Sequence, residues 1–61
     1  MTQHEVKASH VGTRVDVIYP TGERLACEVV WWWGRKMLRV VGEVKYMHVR
    51  EDLKYERPAE T

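Results

Sequence analysis

Sixty-one residues with a formal net charge of +1 make one small domain with no global electrostatic pull toward nucleic acid or a membrane. A chain of this size buries only about 60% of the surface its unfolded form exposes, so a staple, a metal or a partner chain is the usual reinforcement. Cys27 is the single cysteine, which rules out an internal disulfide and a zinc site built on paired thiolates and leaves self-association as the available support.

Met1 to His10 is polar and has no clean period, and it reads as a flexible lead-in over residues 1–10. From there the alternation is plain. Val11, Thr13, Val15, Val17 and Tyr19 share one face and Arg14 and Asp16 the other, the pattern of a half-buried strand rich in β-branched residues. Tyr19-Pro20-Thr21-Gly22 ends it with the residues of a type I turn, proline second and glycine fourth.

A second strand runs from Glu23 to about Trp33. Leu25, Cys27, Val29 and Trp31 take the core side; Arg24, Ala26, Glu28, Val30 and Trp32 take the other. A helix competes for this stretch, but the Val-Val-Trp-Trp-Trp run disfavours it. Gly34-Arg35 suits a two-residue hairpin with glycine first. That turn pairs Trp33 with Lys36, Trp32 with Met37, Trp31 with Leu38, Val30 with Arg39 and Val29 with Val40. Val29, Trp31, Leu38 and Val40 then build the core, and the opposite face gathers Val30, Trp32, Met37, Arg39 and Val41.

Gly42-Glu43 offers the next turn. With a two-residue loop, Val44 and Tyr46 join the outer face and Met47 and Val49 the core; a one-residue shift exchanges the two sets, and the pattern leaves both open. Arg50 to Glu56 reads as a helical or 3-10 turn followed by a short closing strand. Residues 57–61, with Pro58, are expected to fray.

Five short strands with these turns resemble the small barrels of the Src-homology-3 (SH3) and Tudor type. The matching residues are Gly12-x-x-Val15-x-Val17-x-Tyr19, Pro20-x-Gly22, Ala26-x-x-Val29 and the Val49 to Leu53 turn, within residues 11–56. The resemblance implies an all-β domain, a single small five-stranded SH3-like barrel with a short 3-10 turn before the last strand. It also implies a module that binds peptides, modified side chains or nucleic acids. A Tudor cage draws its aromatics from two loops, whereas most aromatics here lie on one strand, and the acidic loop of an SH3 peptide groove is not evident. The fold alone therefore does not select the ligand.

Residues with chemistry on offer lie around Trp31-Trp32-Trp33. Successive strand side chains face opposite ways, so these indoles cannot all enter one core. Between Trp31 and Arg50 the basic residues are Arg35, Lys36, Arg39, Lys45 and Arg50 against the single acid Glu43, a local balance of +4. Cations beside flat aromatics suit phosphates and stacked bases. The expected function is non-enzymatic binding of DNA or RNA, with Trp32, Trp33, Arg35, Lys36, Met37, Arg39, Lys45, Tyr46 and Arg50 as contact residues. The alternative is a protein-interaction module, such as a small regulator or inhibitor docking through Trp32 and Met37, or a structural subunit of a homo-oligomer.

Catalysis and metal binding have little support. His4, His10 and His48 are scattered, Glu51-Asp52 is the only adjacent acidic pair, and Ser9 is the only serine. No cofactor is expected. The longest apolar run, Val29 to Trp33, is too short to span a bilayer, and the N-terminus has no apolar signal core, so a cytoplasmic location is expected.

Overall fold

The computed structural model describes residues 1–58. It contains one short helix, α1 (Gln3–Ala8), and five strands: β1 (Arg14–Ile18), β2 (Arg24–Trp32), β3 (Arg35–Val40), β4 (Tyr46–Met47) and β5 (Lys54–Glu56). The strands form one antiparallel sheet in the order β4-β3-β2-β1-β5. It is an open sheet rather than the expected closed barrel. The edge strands β4 and β5 are two and three residues long and have no pairing with each other among the described residues.

One face of the sheet carries the core. Cross-strand rows place Val17 between Leu25 and Tyr55, Val15 beside Cys27, Cys27 beside Val40, and Leu38 between Val29 and Met47. Val15, Val17, Cys27, Val29, Leu38, Val40, Leu53 and Tyr55 are buried there. Burial pushes the Cys27 thiol and the Tyr55 phenol above their ordinary pKa values. The alternation predicted for β1 gives Val15 and Val17 to this core, whereas Val11 lies in the preceding turn and is exposed.

The first residues differ from the expected irregular lead-in. Thr2 caps α1 through its side chain, which accepts from Glu5 N at 3.2 Å, while the Glu5 carboxylate accepts from Thr2 N at 3.3 Å. This is a reciprocal capping box. Its only buried residue, Val6, closes over the core with Met1 packed beside it. The C-terminal end is tied to the sheet: Lys36 Nζ donates to Lys7 O at 3.0 Å and to Ser9 O at 2.7 Å.

In place of a 3-10 turn before the last strand, residues 51–52 make a single turn. It is held by the Tyr55 hydroxyl, which accepts from Arg50 N at 2.7 Å and donates to Arg50 O at 2.9 Å. Of the C-terminal segment expected to fray, residues 59–61 lie outside the described residues.

Candidate binding face and hairpin tip

The β2–β3 turn is centred on Trp33-Gly34, one residue earlier than the glycine-first turn predicted. Trp32 pairs with Arg35, Trp31 with Lys36, Val30 with Met37, Val29 with Leu38 and Glu28 with Arg39. Both central residues have positive φ, 51° at Trp33 and 78° at Gly34. Two-residue hairpins of the I′ kind use this conformation because its twist matches the strands. Each partner moves by two positions, so every residue keeps its predicted face while its neighbours change.

Trp31 shows the consequence. It was expected in the core, opposite Leu38. It lies instead opposite Lys36, one row beyond the last core pair Val29–Leu38, and is 61% exposed. The hairpin tip extends past the last core row, so an indole on the core-side face there stays largely exposed.

The outer face divides into two zones. Over β1, β2 and β5 it is ionic: Arg24 reaches Asp16 and Glu56, each at 3.0 Å. Glu28 marks the boundary, 4.0 Å from Arg14 and 3.6 Å from Arg39. Beyond it the face is aromatic and apolar. Trp32 stacks on Tyr46 with ring centroids 4.2 Å apart and planes at 16°, and Trp33 meets Trp32 edge-on at 6.2 Å. The loop after Gly42 follows the two-residue register: Arg39 pairs with Tyr46 and Leu38 with Met47, so Tyr46 is an outer residue. That pairing brings Tyr46, distant in sequence, under Trp32.

The predicted contact residues separate accordingly. Trp32 is 40% exposed and Trp33, at the turn, 84% exposed. Arg35 and Lys45 are exposed, with no ion-pair partner among the described residues. Tyr46 is half-buried beneath Trp32. Met37 is buried, outside the main core cluster, so it is not the exposed contact expected of it.

Three residues depart from the expected role. Arg39 is half-buried, pairs with Glu28 and has its Nε buried without a partner. Lys36 points to the other face and spends two of its N–H groups on the carbonyls of Lys7 and of Ser9, the residue that caps α1. Arg50 is not brought to this face; it lies in the loop before β5, beside α1, where Asp52 neutralises it.

Sequence reasoning missed the opposite side of the tip. Lys7, Trp31, Gly34, Arg35, Lys36, His48 and Val49 line an open cleft of about 640 Å³ between the end of α1 and the hairpin. The sequence held one usable signal, the Thr2-x-x-Glu5 capping box that starts α1. No group of three metal-ligating side chains occurs among the described residues, and no helix there is long and apolar enough to cross a membrane.

No protein-family model, curated protein or solved structure matches the chain.

Proposed function

We propose that this chain is a non-enzymatic, cytoplasmic binding module that takes single-stranded DNA or RNA on the tip and outer face of the β2–β3 hairpin. One observation carries this: three indoles are solvent-accessible at a single hairpin tip beside Arg35, and both Arg35 and Lys45, the latter farther along the sheet opposite Val40, have no ion-pair partner among the described residues. Exposing so much apolar ring on so small a domain has no packing benefit. An indole face accepts any base, and a stacked base contributes about 1–3 kcal/mol, while the cations neutralise phosphates. Specificity is low, because the polar groups on the outer face, Asp16, Arg24, Glu28 and Glu56 among them, are paired with one another rather than offered to base edges. The strand order β4-β3-β2-β1-β5 and the short final strand also support a scaffold of the SH3-like type, opened along one side.

Fluorescence anisotropy with labelled single- and double-stranded oligonucleotides at two salt concentrations tests the proposal. Two or three phosphate contacts to a single strand give a log–log salt slope of about −1.4 to −2.1, or roughly tenfold weaker binding between 50 and 200 mM salt. Trp32→Ala weakens binding further while the domain stays folded. Absence of binding at low salt, or binding indifferent to salt, overturns the nucleic-acid assignment.

A protein partner or a second copy of the chain on the same face is the second reading. It is favoured by the exposed Val41 and Val44, the latter 91% accessible, in the loop leading to Tyr46. Salt-tolerant association, or a mass above the monomer by light scattering, would favour it.

A further inference from the structure

The cleft on the α1 side of the hairpin tip goes beyond the outer-face proposal: it shares Trp31 and Arg35 with the tip but rests on its own lining and on Lys36. We propose that it is a nucleotide site in which Trp31 stacks the base and Lys7, Arg35 and Lys36 hold the phosphate.

Four observations lead there. The cleft is open and about 640 Å³, a volume within the size range of small-molecule sites. Its lining includes Lys7, Arg35, Lys36 and His48 and not one carboxylate. Trp31 forms one wall at 61% exposure, a large flat apolar surface at the edge of a cationic recess. Lys36 is held in place, because two of its three N–H groups are fixed on Lys7 O and Ser9 O.

Carbonyl oxygens are neutral partners. The Lys36 ammonium therefore keeps its full charge and one free donor, oriented by the other two bonds. Such a cation is pre-organised for an anion and loses little freedom on binding. A purely apolar ligand would leave these cations desolvated, and a bare anion would leave the indole unused. A planar ring joined to a phosphate satisfies both. Arg35 sits on the rim and serves either side of the tip.

NMR of the 15N-labelled protein tests this, because each tryptophan gives its own indole N–H signal. The probes are adenosine monophosphate, inorganic phosphate and an oligoadenylate of about eight nucleotides, a length comparable to single-strand site sizes. Adenosine monophosphate is expected to move the Trp31 indole and the Lys7 and His48 amides saturably. Trp31→Ala is expected to weaken it by about 5- to 150-fold, the equivalent of one stacked base. Lys7→Glu weakens it too, and keeps the test valid should the Trp31 variant fail to fold.

A Trp31 signal moved by the mononucleotide alone identifies a free nucleotide as the ligand; one moved by the octamer identifies a nucleotide within a strand. Immobility of Trp31 with both overturns the proposal. So does inorganic phosphate matching the mononucleotide in affinity, which would leave an anion patch without a base platform. The outer-face proposal is read separately, from the Trp32 and Trp33 indoles, so either can fail alone.

Discussion

Replacing Lys36 with methionine separates the anchoring role that the structure gives this residue from a simple surface charge. Methionine keeps a flexible apolar stem and loses the ammonium, and with it the bonds to Lys7 O and Ser9 O at 3.0 and 2.7 Å. A hydrogen bond from a charged donor contributes about 1.5–3 kcal/mol in favourable settings. Fixing a lysine side chain costs up to about 2 kcal/mol of rotamer entropy, and water partly replaces bonds at a half-exposed site. The expected net loss is therefore about 1–2 kcal/mol. For a domain of this size that lowers Tm by roughly 4–16 °C. Urea unfolding at neutral pH, followed by tryptophan fluorescence and far-ultraviolet circular dichroism, measures it. Arg35→Met is the control: Arg35 neighbours Lys36, is exposed and its side chain makes no hydrogen bond or ion pair among the described residues, so its effect should stay within about 0.5 kcal/mol. A Lys36→Met loss below about 0.3 kcal/mol would refute the anchoring role and free Lys36 to be an ordinary phosphate contact.

Three further outcomes are expected. Trp33→Asn should raise stability by about 0.5–1.5 kcal/mol in urea titrations, since a bulky residue at φ 51° is strained and Asn-Gly suits this turn; the same variant should bind oligonucleotides more weakly, a gain in stability at the expense of function. Tyr55→Phe removes both hydroxyl bonds to Arg50 and should cost about 1–2 kcal/mol; an unchanged Tm would show that the loop holds without them. Cys27 and Tyr55 have pKa values raised by burial, so the folded state retains protons that the unfolded chain releases. Stability is then full below the ordinary thiol value of 9.0 and falls as pH rises above it, and Cys27→Ala should flatten the first part of that decline while Tyr55 sustains the rest.

The relation of sequence to structure is clearest at the hairpin. Side-chain parity alone assigned Val29, Leu38 and Val40 to one face and Val30, Trp32, Met37 and Arg39 to the other, and moving the turn by one residue left that parity intact. Parity does not report depth along the strand. Whether Trp31 lies over the core or past its edge depends on which row is last, and that follows from the turn centre. The local pattern favoured Gly34-Arg35 because glycine tolerates positive φ better than tryptophan; the strands' twist and their pairing set the turn at Trp33-Gly34 instead.

The sequence by itself determined an all-β chain, the faces of its strands and an aromatic-basic segment too rich to bury. These are properties of local spacing and composition. Tertiary structure decided which cations remain available. Lys36, Arg50 and Arg35 are equivalent on paper, yet the Lys7 and Ser9 carbonyls fix Lys36 on the α1 side of the tip and Asp52 neutralises Arg50. It also decided that Tyr46 would stack on Trp32 and that α1 would wall a cleft beside Trp31. Those contacts join residues far apart in the chain, and a charge or a ring is free or engaged only once its distant neighbours are in place.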